Sequence, residues 1–339
     1  MRLKELARQL GLSQTTVSRA LNGYPEVSEV TRQRVSEAAL RLGYRPNANA
    51  IRLATGRVGA VGVALPLDAS LYFGPHTSEF LSGIGERLAH EEIDLVVAPI
   101  NATDEMPVHR RLAASKRVDA VVLSSPTPND ARISLLNELG MPFVLHGRCE
   151  VPAPHAWLDI DNEGAFRRAT SHLLDLGHRR IALVNGPADH TFAIHRERGF
   201  RSALADRGLI PDPHLIASGR FTDELGFRHA QAFLELRPRP TAILAGSMMT
   251  ALGVFRAIRS AGLELGKDIS MIAHDDVFPY LNADNMVPSM STTRSSIRAA
   301  GARIGELVLQ VLAGTPVETI HELWPVELVL GESSGPAPE

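Results

Sequence analysis

The chain has 339 residues, 44% of them apolar, and a formal net charge of −3, enough to bury the cores of two or three domains. Its single cysteine, Cys149, excludes an internal disulfide framework and a cysteine-based zinc cluster. Apolar runs such as VGAVGVALPL fall short of the ~20 residues a membrane helix needs, and the opening MRLKELARQLG carries no charged-then-apolar leader pattern. A soluble, cytoplasmic protein without a membrane partner is expected. Charge is unevenly spread: residues 1–60 hold ten Arg/Lys and four Asp/Glu, net +6, and the other 279 residues sum to −9. A basic head on an acidic body suggests that the head alone meets a polyanion.

Three helical stripes fit the first 44 residues. Leu3, Leu6, Ala7 and Leu10 share one face and stop at Gly11. Ser13 is placed to cap a second helix, whose buried side is Val17, Ala20 and Leu21 and which runs to Asn22-Gly23. Val35, Ala38, Ala39 and Leu42 form a third stripe ending at Gly43. Two short helices joined by a tight, Gly-containing turn make a helix-turn-helix, whose second helix offers its N-terminal side chains to base edges. In SQTTVSRALN those are Gln14 and Thr15, with Arg19 a turn further on. Gln pairs bidentately with adenine and Arg with guanine, while Ser13, Thr16, Ser18 and Asn22 are expected to fix register on the phosphates.

From residue 58 onward, apolar runs (VGAVGVAL, IDLVVAPI, VDAVVL, PFVLH, RIALVNG, TAILAG, ISMIAH) alternate with amphipathic helices such as 163–177 and 247–262. Continuous apolarity suits strands covered on both faces, hence parallel α/β sheets. Two such sheets form a clamp that holds ligand in the cleft at the carboxyl ends of the strands. Enzymatic motifs are unconvincing. GESSG (331–335) matches G-x-S-x-G but has no helix after it, GRVGAVG is not a dinucleotide fingerprint, and thirteen His residues show no H-E-x-x-H spacing. No catalytic residue, cofactor or metal is expected.

GLSQTTVSRALNG followed by VSEVTRQRVSEAALRLGYRPNANAIRLATGR resembles the head of the lactose repressor/purine repressor family of bacterial transcriptional regulators. LLDLGHRRIALVNGP, HRERGFRSAL and ISMIAHDD resemble its periplasmic-binding-protein-like core, so the likeness covers nearly the whole chain. It implies an α/β fold: a helix-turn-helix head (1–45), a hinge helix (46–57) and a clamp of two α/β subdomains. These take residues 58–158 with 287–318 and residues 159–286 with 319–331, before a tail at 332–339. PNANAIRLATG is by itself a weak helix. The resemblance makes it a minor-groove element with Leu53 as the apolar wedge, Ala54 beside it, Arg52 near the phosphates, and Asn47 and Ala50 also facing DNA. In the cleft it implies Arg196 as the planar fork that grips hydroxyls or carboxylate and Asp275 as the acceptor opposite. His146, Ser124 (or Ser125), Phe221, Tyr72 and Phe73 are further lining candidates. Many relatives carry Asn-Asp after the TAILA strand; here Ser247 and Met248 stand there, two methionines in a row altering the pocket.

The expected function is a dimeric, sugar-responsive repressor of a near-palindromic operator. A C-terminal leucine heptad that would support a tetramer is lacking. A purine-type or other corepressor-dependent regulator is the alternative, and a free solute-binding protein a more distant one.

Overall fold

The computed structural model describes residues 3–21, 24–44, 57–66, 74–100 and 105–338. The chain divides into two compact units, residues 1–59 and 60–339.

In the first unit α1 (Leu3–Leu10), α2 (Gln14–Leu21) and α3 (Glu29–Arg41) enclose a small core of Leu6, Ala7, Leu10, Val17, Ala20, Val35, Ala38 and Ala39. The start and stop signals act as their chemistry dictates. Gly11 follows α1 with φ +66°, a left-handed conformation cheap only for glycine. Ser13 Oγ then accepts the Thr16 N–H at 3.0 Å and so caps α2. Ser28 caps α3 in the same way through Thr31, and Arg34 ties α3 to the end of α1 by donating to the Leu10 carbonyl at 3.0 Å.

The second unit alternates strands and helices. It begins β1 (Ala60–Pro66), α4 (Pro75–Ala89), β2 (Asp94–Ile100), α5 (Met106–Ser115), β3 (Ala120–Ser124), α6 (Ala131–Glu138), β4 (Phe143–His146) and β5 (Ala156–Ile160). It continues α7 (Asn162–Asp175), β6 (Ile181–Asn185), α8 (Thr191–Ala205), β7 (Ile216–Ser218), α9 (Asp223–Glu235), β8 (Ala242–Ala245), α10 (Met248–Ser260) and β9 (Ser270–Asp275). β10 (Ser291–Arg294), α11 (Ile297–Leu312), β11 (His321–Trp324) and β12 (Glu327–Val329) complete it. Two six-stranded sheets result, in the orders β11-β5-β4-β3-β1-β2 and β12-β10-β9-β8-β6-β7. Every pairing is parallel except β10 with β12. The central strands β6, β8 and β9 are buried along their whole length, as helices on both faces require. Among the described residues no helix is long and apolar enough to cross a membrane.

The subdomain boundaries differ from the sequence reading at two places. β10, expected in the first subdomain with 287–318, pairs with β9 in the second sheet. β11, expected in the second subdomain with 319–331, pairs with β5 in the first. The chain therefore crosses between sheets after Ile160, after Arg294 and after Trp324. STTR and HELW are too short and too polar to advertise a strand, so only pairing places them. α11 returns to the first subdomain and packs backbone to backbone against α4, a Cβ on Gly301 falling 2.3 Å from the Phe80 carbonyl. The segment expected as a free tail is fastened to the second sheet. Ser333 Oγ donates to the Met271 carbonyl at 2.7 Å and accepts from the Ser291 N–H at 2.8 Å, and the Ala337 N–H donates to the Leu176 carbonyl. The serine of GESSG is thus fully buried in structural bonds.

Candidate functional site

α2 presents Gln14, Thr15 and Arg19 to solvent, with Ser18 half-buried beside them. Thr15 and Arg19 are one turn apart and Gln14 and Ser18 likewise, so the four form one strip on the face opposite Val17 and Ala20. Ser13 and Thr16 are spent partly on each other, their hydroxyls 2.8 Å apart. Short hydroxyl and amide groups on an exposed helix face permit close approach and supply donors and acceptors for bases and phosphates. Asn22, Asn47, Ala50, Arg52, Leu53 and Ala54, and the aromatic pair Tyr72 and Phe73, lie outside the described residues.

In the second unit a cavity of about 620 Å³ separates the two subdomains. The carboxyl ends of β3, β4, β5, β6, β8 and β9 all open onto it, together with the N-termini of α4 and α8. At one point the two walls touch: the Thr191 N–H of α8 donates to the Pro126 carbonyl at 2.9 Å.

Arg196 is the centre of this cavity's chemistry. It is 4% exposed, and Phe166, Phe192 and Phe221 place their rings 5.1, 5.2 and 5.9 Å from its guanidinium carbon. Nε donates to Asn162 Oδ1 and Nη1 to the Gly246 carbonyl, each at 2.7 Å. The fork is thereby aimed, and Nη2 has no protein acceptor among the described residues. Burial lowers the Arg196 pKa to about 10, against the pull of Asp276 and Asp159, so the group keeps its charge.

The acceptor facing this space is Asp276, not Asp275. Asp275 Oδ1 accepts the Val277 N–H at 2.8 Å and Oδ2 the Arg294 Nε at 3.2 Å, and the residue does not line the cavity. Side chains alternate across a strand, so His274 and Asp276 share the cavity side while Asp275 turns away. That period of two was present in IAHDD, but on a strand buried on both faces it does not say which side meets the cavity. Burial pushes the Asp276 carboxyl upward, but His76, His274 and Arg196 hold it down to about 2. His76, on the opposite wall, brings Nε2 to 3.9 Å from Asp276 Oδ1.

The remaining candidates divide. His146 lines the cavity and stacks on Phe80 with ring centroids 4.7 Å apart; burial, with the charge of His76, drops its pKa to about 3, so it is a neutral imidazole. Phe221 lines the cavity next to Phe192. Ser124 does not line it. Ser125, turned by a left-handed backbone (φ +51°), takes its place, because the strand ends at Ser124 and the chain bends there into the cleft. Ser247 lines the cavity, but its oxygen caps α10 by accepting the Thr250 N–H at 3.1 Å. Met248 is wholly buried in the core, so Met249 alone of the two methionines reaches the cavity. Asn162, Asp159, His76 and His274 were missed by the sequence reading; no local pattern distinguishes them from core or surface polar residues. Among the described residues no group of three His, Cys, Asp or Glu could hold a metal ion.

Residues 2–47 match the family model for bacterial regulatory proteins of the lacI family, and residues 59–322 that for periplasmic binding proteins and the sugar binding domain of the LacI family. The HTH-type transcriptional regulator AglR of Rhizobium meliloti is 48% identical over 99% of this chain and 95% of its own length. CelR of Thermobifida fusca is 31% identical over 98% and 97%. Among solved structures, a lac repressor dimer bound to operator and an anti-inducer superposes with a TM-score of 0.82 at 26% identity, covering 99% of both chains. A CelR–cellobiose complex gives 0.72 at 29% identity, covering 98% and 99%. The head with its exposed polar strip, the clamp with its charged cleft and these likenesses agree, and the chain belongs to the LacI family of DNA-binding transcriptional regulators.

Proposed function

We propose that the chain is a sugar-responsive repressor acting in the cytoplasm. As a homodimer it reads a near-palindromic operator through Ser13, Gln14, Thr15, Thr16, Ser18 and Arg19, and leaves it when a sugar binds the cleft. The observation that carries the effector reading is Arg196, held so that Nη2 is free to donate near the Asp276 carboxylate. A donor and an acceptor together suit the adjacent hydroxyls of a pyranose, and aromatic rings beside them suit its apolar faces. The likeness to a relative solved with cellobiose supports the same class.

Charge and size narrow it. The cavity side chains include Asp159, Asp189, Asp223 and Asp276 against Arg196 and Arg220; with Asp159 paired to Arg148 and Asp223 to Arg256, no surplus of cationic groups remains among the described residues to hold an anionic sugar. A space of about 620 Å³ admits a sugar of more than one ring, and an uncharged sugar of two or more rings is the effector class we propose. Sugar bound more tightly by the closed clamp shifts the population towards that state, and operator affinity falls by the difference in the two affinities.

The test is fluorescence anisotropy on DNA from upstream of the chain's own operon, titrated with cellobiose, maltose, raffinose, glucose and glucose 6-phosphate. Release by a neutral di- or trisaccharide, lost in Arg196→Ala while DNA binding is retained, is the expected result. Release by the phosphate, or a response that survives Arg196→Ala, refutes this reading of the cleft. The sugar should be recovered unchanged.

A further inference from the structure

Arg196 belongs to the second subdomain, yet its guanidinium is two hydrogen bonds from the first. Nε donates to Asn162 Oδ1 at 2.7 Å, and Asn162 Nδ2 lies 3.3 Å from both Asp159 Oδ1 and the Ile160 carbonyl. Asp159 and Ile160 end β5 in the first sheet, while Asn162 opens α7 in the second subdomain. These bonds therefore span the first of the three crossings.

The other carboxylate oxygen is approached from both subdomains. Asp159 Oδ2 is 3.1 Å from Arg148 Nε, in the loop after β4, and 4.0 Å from His195 Nδ1 on α8, next to Arg196 itself. Asp159 is 4% and Asn162 2% exposed, so water does not shield the group. Arg148 Nε and His195 Nδ1 are both buried, and neither makes a hydrogen bond of good geometry in this arrangement. A buried carboxylate has acceptor capacity for more partners than it now satisfies, and a small rotation of one subdomain changes which neighbour completes the set.

We propose that Asp159 is the positioning residue that carries occupancy of Arg196 to the first crossing between the subdomains. With the cleft empty it holds Arg148 of its own subdomain. When ligand draws Arg196 and α8 towards the first subdomain, Oδ2 exchanges Arg148 for His195 while Asn162 stays on Oδ1. Two alternative partner sets for one buried charge make the discrete, two-state element that coupling between distant sites requires. The proposal rests on the reading of Arg196 as the effector residue.

The ratio of operator affinities without and with saturating sugar measures the coupling; the probe is whichever sugar of the panel above gives the largest release. Asp159→Asn keeps the shape and one acceptor but removes the charge. It should lower that ratio at least ten-fold. Arg148→Ala is the second variant, since this side chain is 27% exposed and lies in a loop. It should lower the ratio similarly, the double variant should lose no more than the larger single loss, and Arg148→Lys should restore part of it. Melting temperature is recorded alongside: a fall in it with an unchanged ratio marks a purely structural residue and overturns the proposal. Unchanged ratios in both single variants overturn it too and leave the effector reading standing. A wild-type protein whose operator affinity no sugar moves overturns the effector reading and this proposal together.

Discussion

Gly83 and Gly85 lie two residues apart on α4, and the same substitution should move stability in opposite directions at the two. A Cβ built on Gly83 would fall 2.1 Å from the Arg298 carbonyl oxygen and 2.8 Å from the Ala302 nitrogen, both on α11; at Gly85 it would meet nothing within 4 Å. Alanine is worth about 0.8–1 kcal/mol over glycine inside a helix, so Gly85→Ala should stabilise by about that much. Gly83→Ala has the same gain available and a larger cost. Real Cβ atoms essentially never come within 3.0 Å of such neighbours, so α4 and α11 must separate by nearly 1 Å at their closest point. Phe80, Ile84 and Leu88 pack with Ala300, Ile304, Leu307 and Val308 in the same core. A gap of about 0.5–1 Å forfeits a quarter to a half of each dispersion contact, and overpacking costs typically about 1–3 kcal/mol. The net expectation for Gly83→Ala is a loss of about 1–2 kcal/mol, which places the two variants about 2–3 kcal/mol apart. Denaturant unfolding followed by one probe reads this as midpoints displaced to either side of wild type at unchanged slope. Gly83→Ala should also weaken sugar binding, because α4 and α11 carry His76 and Ile297 into the cavity. If both variants shifted stability the same way, the close helix contact, and the packing argument built on it, would be wrong.

Three further outcomes are expected. The unfolded chain protonates His146 near its ordinary 6.5, whereas burial holds the folded value at about 3; stability contributed by the neutral ring is therefore complete above 6.5 and lost as pH falls towards 3. His146→Asn should remove about 2 kcal/mol of the stability difference between pH 7 and pH 5, seen by comparing urea midpoints at the two pH values, and an unaltered acid slope would refute the assignment. Asp276→Asn should weaken sugar binding by calorimetry at least ten-fold, while Asp275→Asn should act mainly through stability, by about 1–3 kcal/mol, through the Val277 and Arg294 bonds it loses; the reverse pattern would return the ligand role to Asp275. Arg19→Ala should cost operator binding roughly 1–3 kcal/mol and relax specificity at one base pair. Removal of a phosphate contact alone would instead reduce the salt slope by about 1 and weaken all sequences equally.

The head was legible because its determinants are local. Apolar spacing sets each helix face, Gly11 ends one helix, and Ser13 starts the next through a bond to a residue three positions away. The strands that form the sheet centres were legible for a related reason: burial on both faces demands unbroken apolar runs, and IALV and AILA show them. Pairing partners carry no such mark. β10 and β11 went to the opposite sheets from those expected because a four-residue polar segment takes its identity from the strand beside it, here β9 and β5.

The cleft divides along the same line. The sequence by itself determined the two-part plan, a DNA-reading helix ahead of an α/β clamp; Arg196 as a cleft residue came from the family resemblance. Tertiary structure decided everything that depends on direction or distant contact. It turned Asp276 rather than Asp275 towards the cavity, set Ser125 rather than Ser124 at the rim, and sent Met248 into the core. It also brought Asn162 to Arg196 across 34 positions of chain, and Asp159 to Arg148 and His195. Local chemistry specifies which segments fold and how they begin and end; the orientation of a buried polar group is specified only by the neighbours that satisfy it.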